Sequence, residues 1–412
     1  MNAKALNAQG TRAEFLGKPS AFNRLYCYML PISEDSPTSA KSLDTPKSSL
    51  LTVQYLRAIA ALMVAYYHTI VQIPAYRHYF QDYLFGSAAL SSGVDIFFVI
   101  SGFIMLISNR NTRPGVFAVR RVIRIVPLYW ILTLLVACLT LLYPQLFRTT
   151  VLGLEYFLKS LFFIPYPNPG HERELVPLLA PGWSLNFEMF FYCIFALVLF
   201  APHGRRLAIT GVVFALLIFA GYLFRGFADH HAILFYTDIR ILEFWLGMLI
   251  AHFYLHGRLR LPAWLPWTII IAGFTALLWK RPIADLTVAA PGRTLIANVL
   301  PSAAIVLGAV ALEQSRKVAR IAALAFLGDA SYSIYLSHVF SLGVARATWS
   351  KLGLERDTLV YAAGFAVYAM AAVIIGSVLV YRLVEKPMLI FLQKMARRNK
   401  NSCSDSSLAT GG

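Results

Sequence analysis

Ten long apolar runs, separated by short polar breaks, dominate the pattern of hydrophobic and polar positions along this chain. Each run approaches the roughly 20 mainly apolar residues that a helix needs to span a bilayer. The breaks hold the turn residues expected between helices, among them Pro74, Pro114, Gly226 and Gly353. The pattern therefore predicts an all-α fold, that of a polytopic membrane protein with about ten transmembrane helices. The predicted helices lie near residues 51–72, 88–108, 122–143, 182–201, 206–225, 232–256, 263–280, 293–313, 325–347 and 359–384.

Polar segments flank the apolar part of the chain and divide it into three regions. Residues 1–50 are polar, lack an early apolar core of the signal-peptide type, and are predicted to form a disordered cytoplasmic tail. Residues 51–388 form the predicted membrane-embedded domain, and residues 389–412 form a basic cytoplasmic tail. A short amphipathic helix is predicted at 156–164, inside the longest external connection.

Composition agrees with a membrane-embedded chain and excludes three other classes. Of the 412 residues, 58% are hydrophobic and 14% are charged, whereas soluble domains carry roughly 25% charged residues. This excludes a soluble enzyme, a disulfide scaffold and a disordered chain. The net charge of +17 would suggest nucleic acid in a soluble protein. Here Lys and Arg concentrate in alternate loops, so no nucleic-acid partner is expected, and both termini are predicted to be cytoplasmic.

The first predicted helix carries two ionisable residues, Arg57 and His68, eleven positions apart. Eleven residues correspond to about 16 Å of rise and return to nearly the same helix face. Charged groups at membrane depth are costly, so each one is a candidate functional residue. Two simpler interpretations stay open. Arg57 extends its side chain to the inner interface, and His68 is a core histidine hydrogen-bonded to a neighbour.

Two carboxylates and a second imidazole are predicted at the depth of His68. Asp95 and Glu188 lie near the external ends of the second and fourth helices, and His338 lies in the outer half of the ninth. Imidazoles and carboxylates at one level have the composition of an acid/base site. His68, Asp95, Glu188 and His338 are therefore the predicted catalytic residues. His68 is the predicted general base, with Asp95 or Glu188 orienting its imidazole.

Guanidinium groups form a second cluster, on the cytoplasmic side of the predicted helices. Arg121 and Arg124 are three residues apart and share a helix face near the start of the third helix. Their side chains suit bidentate binding of phosphate groups; the simpler interpretation is ordinary positive-inside anchoring. Arg240 and Glu243, also three apart, are predicted to form an internal pair.

Motifs of several other function classes are missing from the sequence. The chain has no GxxxxGK[ST] motif, which argues against a nucleotide-driven pump. It also has neither a CxxC pair nor an HExxH helix, so no metal is expected. The remaining candidates are a membrane-embedded enzyme and a transporter.

Seven short segments, in one order along residues 51–388, resemble the acyltransferase 3 family of integral membrane acyltransferases. The resemblance is greatest to the members that acetylate exopolysaccharides and O-antigens. Any one segment is weakly specific, whereas seven in the family's order are strongly so. The segments are 54–60 (QYLRAIA) with His68, 93–98 (GVDIFF), 100–103 (ISGF), 121–129 (RVIRIVPLY), 183–185 (WSL) with Glu188, 328–336 (GDASYSIYL) with His338, and 385–387 (EKP).

The resemblance implies about ten helices and transfer of an acyl group, often acetyl, from cytoplasmic acyl-CoA to a sugar hydroxyl. It implies that Arg57 and His68 are functional and that Arg57, Arg121 and Arg124 hold the CoA phosphates. It also implies a multi-pass protein in the inner membrane of a bacterium. The expected partners are the lipid bilayer, a cell-surface or exported carbohydrate as acceptor, and polysaccharide-assembly proteins. Some members carry an extra C-terminal hydrolase-like domain, whereas about 28 residues follow the tenth predicted helix, so the acceptor is expected to reach the membrane domain directly or through a partner protein.

Two other functions stay open from the sequence. A transporter or flippase of a polysaccharide or lipid-linked sugar would use the same buried charges as a proton relay, although no internal repeat supports it. A membrane-bound O-acyltransferase of a different family would rely on His338 alone. For an enzyme of the acyltransferase 3 type, direct transfer to the acceptor and an acyl-enzyme on Ser101 both stay open.

Reporter fusions test the predicted topology. A reporter at Gly412 and one in the connection at 145–180 are expected to lie on opposite sides of the membrane, because seven predicted helices separate the two points. Paired fusions to a reporter active only in the cytoplasm and one active only outside it measure this. Two fusions on the same side would contradict the helix count.

Overall fold

The computed structural model is helical along most of the chain. It describes residues 50–83, 88–143, 152–170, 175–224, 231–278, 290–315 and 318–396. The predicted disordered tail at 1–50, apart from its last residue, and the part of the basic tail beyond residue 396 lie outside the described residues. Asp44–Met388 forms one compact unit and contains the predicted membrane-embedded domain. Of a second unit, Met1–Leu43 with Leu389–Gly412, only the helical start of the C-terminal segment is described.

Fifteen of the α-helices within the described residues are numbered in chain order, and a further helical stretch covers 386–396. They are α1 (Leu51–Ile70), α2 (Arg77–Asp82), α3 (Gly93–Ser108), α4 (Pro114–Leu142), α5 (Leu154–Leu161), α6 (Trp183–Val198), α7 (His203–Phe224), α8 (His231–Tyr236), α9 (Ile241–Leu255), α10 (Leu265–Leu278), α11 (Ala290–Thr294), α12 (Leu300–Ser315), α13 (Ala322–Asp329), α14 (Ser331–Lys351) and α15 (Leu359–Val380). Two π-helical segments occur, Leu295–Val299 directly before α12 and Tyr381–Glu385 directly after α15. Segments of this kind recur at functional sites.

A helix occupies each of the ten predicted segments, but fewer than ten meet the requirements of a full span. In the described part of the chain six helices are long and apolar enough to cross a membrane. A seventh results if α1 and the bent segment Pro74–Asp82 are one span. α9 and α10 are short, with 15 and 14 residues, and α14 is long but carries Ser, His and Arg side chains. The all-α membrane fold is therefore confirmed, and the count of about ten stays a prediction.

α4 begins earlier than the apolar pattern predicts. Pro114 occupies its first turn, where the missing N–H would have no partner in any case. The helix then continues for 29 residues to Leu142. Arg121 and Arg124 therefore lie about two turns inside α4 rather than at its start, and both side chains are half-buried.

α7 presents an apolar face to the surroundings of the protein. Val212, Leu216, Phe219 and Leu223 recur at helical spacing, and each is more than half exposed. Exposing such a stripe to water costs about 25 cal/mol for each Å², whereas a bilayer accommodates it because lipid tails are apolar too. The chain is therefore an integral membrane protein.

The short amphipathic helix predicted at 156–164 is α5, which begins two residues earlier. Tyr156 is buried on its inner face, whereas Leu154 and Leu158 are exposed. On the exposed side Lys159 donates a hydrogen bond of 2.6 Å to Glu155, and this bond holds the pKa of the Glu155 carboxyl below its usual value. A helix with this distribution of side chains suits the interface between membrane and water.

α1 is the central helix of the unit, because it packs against α3, α12, α13, α14 and α15. Small residues allow this close packing. Ala60 and Ala61 are fully buried, and a Cβ atom at Gly93 would lie 2.4 Å from the Ala60 carbonyl oxygen. A Cβ atom at Gly328 would lie 2.3 Å from the carbonyl oxygen of Gln54. Close approach of backbones at small residues is a main source of helix association in membranes.

α3 and α9 approach each other still more closely. A Cβ atom at Gly102 would lie 1.8 Å from the carbonyl oxygen of Phe244, and one at Gly247 would lie 2.0 Å from that of Val99. The ring of Phe98 stacks on the ring of Phe244 with 4.8 Å between centroids. These contacts define a parallel register in which the N-terminal ends of α3 and α9 lie side by side.

Replacement of Gly102 tests this helix contact. Gly102→Ala is expected to destabilise the protein by about 1–3 kcal/mol or more, because the new methyl group overlaps the backbone of α9. Thermal unfolding of the purified protein in detergent measures the change. The matched control is Gly343→Ala on α14, where a Cβ atom meets nothing within 4 Å. This control is expected to leave stability unchanged or raise it by about 0.5–1 kcal/mol through helix propensity. Equal melting temperatures for both variants would contradict the close contact.

Candidate active site

A cavity of about 160 Å³ lies among α1, α3, α4, α6 and α14. It brings together the three predicted phosphate-binding arginines and Glu188. His68, Asp95 and His338 are not among its lining residues. The polar part of the lining comprises Arg57, Ser101, Arg121, Arg124, Ser184, Glu188, Tyr192, Ser331, Tyr332 and Tyr335.

Arg124 is held in place by a carboxylate from the other end of the chain. Its Nη1 atom lies 2.5 Å from Oε1 of Glu385, which is fully buried. Ser333 donates a hydrogen bond to the second oxygen of Glu385, and the guanidinium group of Arg124 stacks over the ring of Tyr332. Charge-assisted bonds of this type are stronger than neutral ones. Arg124 therefore has a fixed position in the cavity wall.

Arg57 and the Nε atom of Arg121 keep hydrogen-bonding capacity that no described residue uses. The guanidinium group of Arg57 makes no hydrogen bond within the described part of the chain, although the charges of Glu385, Glu188 and Arg124 act on it. Arg121 lies over the rings of Phe117 and Tyr192, and its Nε atom is buried without a partner among the described residues. Buried donors normally have partners. Both groups therefore suit an anionic ligand in the cavity.

Glu188 forms a separate hydrogen-bonded group on the cavity wall. Ser101 on α3 donates to its Oε1 atom at 2.9 Å, and Tyr192, one turn further along α6, donates to the same oxygen. Close by, Ser184 and Tyr335 share a hydrogen bond of 2.7 Å, and Tyr335 also donates to the carbonyl oxygen of Pro181. The polar groups here have protein partners, unlike Arg57 and Arg121.

His68 and His338 form a pair of neighbouring imidazoles. Their ring centroids lie 4.9 Å apart, with an angle of 46° between the ring planes. His68 comes from α1 and His338 from α14, two helices that pack directly against each other. His338 is fully buried, whereas His68 is half-buried. The two predicted catalytic histidines are therefore brought together.

Backbone carbonyls fix the tautomer of both rings. Nδ1 of His68 lies 2.9 Å from the carbonyl oxygen of Val64, and Nδ1 of His338 lies 2.7 Å from that of Tyr335. A carbonyl oxygen only accepts, so each Nδ1 carries a hydrogen. In the neutral rings each Nε2 therefore holds the lone pair that accepts protons. Nε2 of His338 is buried and has no hydrogen-bond partner in the described part of the structure.

Asp95 belongs to a different cluster. Its carboxylate accepts a hydrogen bond of 3.1 Å from Asn298 and lies 3.7 Å from Nε of Arg240. The predicted pair of Arg240 with Glu243 is therefore wrong, since the ion pair of Arg240 within 4 Å is with Asp95.

The hydrogen bonds also contradict the prediction that Asp95 or Glu188 orients the imidazole of His68. In the described residues the hydrogen bonds of Asp95 and Glu188 go to other groups, and the rings nearest His68 are those of His338 and Tyr67. The prediction rested on depth in the membrane. Depth sets the level of a side chain but not the direction in which it points around its helix.

Tyr335 connects the cavity with the imidazole pair. Its side chain lines the cavity, and its ring centroid lies 6.3 Å from that of His338, one turn further along α14. On α1, Arg57 and His68 lie about 16 Å apart along the helix axis. The arginine-lined cavity (the arginine end) and the imidazole pair (the imidazole end) thus lie at two levels along α1, and Tyr335 lies next to both.

Three residues of the site were not predicted as functional from the sequence. Glu385 belongs to the segment 385–387 that supports the family resemblance, but its position beside Lys386 is typical of a loop charge, and its partner Arg124 reveals its role. Tyr192 follows Glu188 by four residues, a spacing that allows contact on a helix and could have been used. Tyr335 carries no charge, so a search for ionisable residues at membrane depth passes over it.

No group of three or more His, Cys, Asp or Glu side chains in the described ranges is arranged to hold a metal ion.

Comparisons with known proteins show the family to which this chain belongs. The sequence model of a family described as an acyltransferase domain, acyltransferase 3, matches residues 50–382. The chain is 37% identical over 303 residues to the exopolysaccharide production protein ExoZ of Rhizobium meliloti (strain 1021), a match that covers 73% of this chain and 89% of that protein. It is 25% identical over 375 residues to a protein of Komagataeibacter xylinus named "Putative membrane-bound transacylase BcsY", covering 87% of this chain and 88% of that one. No solved structure shows a significant match.

The helical membrane fold and the family match together define a membrane-bound acyltransferase. More narrowly, the chain belongs to the acyltransferase 3 family.

Proposed function

We propose that this protein is an O-acyltransferase that moves an acyl group, acetyl in the simplest case, from cytoplasmic acyl-CoA to a hydroxyl of a cell-surface or exported carbohydrate. One observation carries the proposal. α1 carries Arg57, whose guanidinium group makes no hydrogen bond to a described residue, near one end, and His68, which pairs with His338 of α14, near the other. Family membership supports acyl transfer. The names of the two relatives, exopolysaccharide production protein and transacylase, support a carbohydrate acceptor.

The donor end of the site is formed by the three arginines. Arg57 and Arg121 offer donors without protein partners, and the phosphate oxygens of CoA would complete their hydrogen bonds. Arg124, fixed by Glu385, adds positive charge at a defined position. Aromatic and aliphatic side chains such as Phe97 line the same cavity and exclude water. Acyl-CoA supplies the acyl group as a thioester when it is bound.

His68 is the general base in this proposal. Its Nε2 atom accepts the proton of the acceptor hydroxyl while the hydroxyl oxygen bonds to the acyl carbon. The carbon–sulfur bond breaks in the same transfer, and His68 returns its proton to the departing sulfur. Direct transfer of this kind needs no acyl-enzyme. Ser101, the candidate nucleophile, donates its hydrogen bond to Glu188 rather than to an imidazole.

His338 is a positioning residue for His68. Its buried ring is held by the carbonyl oxygen of Tyr335, and its Nε2 lone pair has no other described partner. A lone pair beside His68 stabilises the protonated imidazole, because charge–dipole interactions are strong where water is excluded. This role replaces the one predicted for a carboxylate. Glu188 orders Ser101 and Tyr192 in the cavity wall.

The cellular setting follows from the distribution of charge. The positive-inside pattern supports cytoplasmic termini and an arginine end on the cytoplasmic side, where acyl-CoA is available. The imidazole end then lies toward the outer side, which suits an exported acceptor. We propose a location in the inner membrane of a bacterium, with polysaccharide-assembly proteins as further partners.

Transport of a polysaccharide or lipid-linked sugar is the second candidate function. The observation that favours it is the buried ion pair of Asp95 and Arg240, since intramembrane charges often serve proton relays. Proteoliposomes containing the purified protein separate the two functions. Thioester consumption that depends on acceptor supports transfer, and sugar movement without thioester consumption supports transport.

Substitution of His68 tests the proposed base. His68→Ala and His68→Gln are both expected to lower turnover by about 10²–10⁴-fold, because neither side chain accepts a proton. Mass spectrometry of glycans and release of free thiol measure the reaction. The control is His78→Ala on α2, an exposed histidine outside the site. Substantial turnover in His68→Gln would assign His68 a hydrogen-bonding role and leave His338 as the base.

Substitution of the arginines tests the donor end. Arg57→Ala and Arg121→Ala are each expected to raise KM for acyl-CoA by about tenfold or more, since a charged hydrogen bond is worth roughly 1.5–3 kcal/mol. Lys at these positions is expected to restore binding only in part, because it lacks the bidentate fork. Arg124→Ala is expected to weaken binding as well. Arg205→Ala, an exposed cation at the start of α7, controls for net charge. Wild-type KM values in all three site variants would leave membrane anchoring as their role.

A further inference from the structure

A second buried cluster lies outside the cavity lining and takes no part in the proposed reaction. It comprises Asp95 on α3, Arg240 directly before α9, Glu243 on α9, and Asn298 in the first π-helical segment. Glu243 is 0% exposed, and neither of its carboxyl oxygens accepts a hydrogen bond from any described residue. The charged groups that face it are Asp95, Arg240 and Asp238. An ionised carboxylate in such a place would be strongly destabilising.

The charges of the cluster do not balance if both buried carboxylates are ionised. Arg240 supplies one positive charge, whereas Asp95 and Glu243 supply two negative ones. Nε of Arg240 lies 3.7 Å from Asp95, and the side-chain amide of Asn298 donates to Asp95 as well. The Asn298 amide and the charge of Arg240 thus stabilise an ionised Asp95, whereas no donor in the described part of the chain reaches Glu243.

Backbone packing prevents the two carboxyl groups from moving apart. Gly102 and Gly247 bring α3 and α9 into backbone contact, and the stacked rings of Phe98 and Phe244 fix the parallel register. Asp95 lies one turn before Phe98, and Glu243 directly precedes Phe244. The same contact that joins the helices therefore brings an acidic side chain from each of them together.

We infer that Glu243 and Asp95 form a proton-binding site. Glu243 carries the proton as a carboxylic acid and donates its O–H group to a carboxylate oxygen of Asp95, which stays ionised opposite Arg240. This hydrogen bond gives the Glu243 side chain the partner that it otherwise lacks. It also leaves one negative charge facing one positive charge in the buried cluster. Two acidic groups in contact share a proton for the same reason in other proteins.

The bound proton has a structural consequence for the cavity. α3 carries Asp95 on the side that faces α9, and Phe97, Phe98 and Ser101 of the same helix line the cavity. The hydrogen bond between protonated Glu243 and ionised Asp95, with Arg240 balancing the charge, keeps α3 seated against α9. The proton is therefore retained by the fold and is separate from the proton that moves through His68.

Infrared spectra of the full-length protein in nanodiscs test the site. Differences are taken between the wild type, its variants and the isotope-labelled protein. The wild-type protein is expected to show the carbonyl stretching band of a protonated carboxylic acid, from mildly acidic to mildly alkaline pH. Glu243→Gln is expected to abolish this band. Carboxyl-labelled glutamate is expected to shift the wild-type band, and labelled aspartate to leave it in place. A shift with labelled aspartate alone, or no band that depends on Glu243, would overturn the inference.

Two further variants separate protonation from general damage to the fold. Glu313→Gln is the matched control, because Glu313 accepts a hydrogen bond of 2.7 Å from the backbone N–H of Thr52 and needs no proton. This variant is expected to keep the band. Glu243→Gln is expected to melt at the wild-type temperature, since its amide N–H donates to Asp95 in place of the acid, whereas Glu243→Ala melts lower. Equal destabilisation by Gln and Ala would overturn the site, because a donor at position 243 would then contribute nothing to stability.

Discussion

A charge inside a bilayer must be neutralised, hydrogen-bonded or left facing a cavity, and the described part of this protein is organised around that constraint. Arg124 is neutralised by Glu385, and Asp95 faces Arg240. Arg57 and Arg121 instead face a cavity, and the guanidinium group of Arg57 and Nε of Arg121 have no hydrogen-bond partner among the described residues. The contrast is informative because the three arginines lie in the same cavity wall. The groups without protein partners are the ones available to a substrate.

Close helix packing provides the positions that these charges occupy. α1 can contact five other helices because its packing face is rich in alanine, and glycines on α3 and α13 meet its backbone. Arg57 and His68 are thereby fixed on a helix that cannot tilt without disturbing most of the unit. The same reasoning applies to α3 and α9, where glycine contacts set the neighbours of Asp95. Small residues thus set the positions of the charged side chains, although they take no part in the reaction themselves.

Features that depend on one helix were predictable from the sequence, and features that depend on the angle between helices were not. The spacing of Arg57 and His68 follows from helix geometry alone, and the membrane fold follows from the apolar runs. The contact between His68 and His338 requires knowledge of how α1 and α14 are rotated toward each other. A prediction from depth placed both histidines at one level correctly but gave His68 a carboxylate neighbour. The partner of Arg124 lay beyond prediction for the same reason, since nothing in the segment around Glu385 points to α4.

The pairing of Arg124 with Glu385 also has a consequence for how the protein is assembled in the membrane. The two residues are 261 positions apart in the chain, and membrane proteins are inserted as they are synthesised. During translation the ribosome therefore completes more than half of the protein while the guanidinium group on α4 still lacks its counter-ion. The nascent chain must shelter that cation with water, lipid headgroups or the insertion machinery until the end of α15 arrives. The ion pair of Arg124 and Glu385 in the cavity wall is thus among the last contacts to form during assembly.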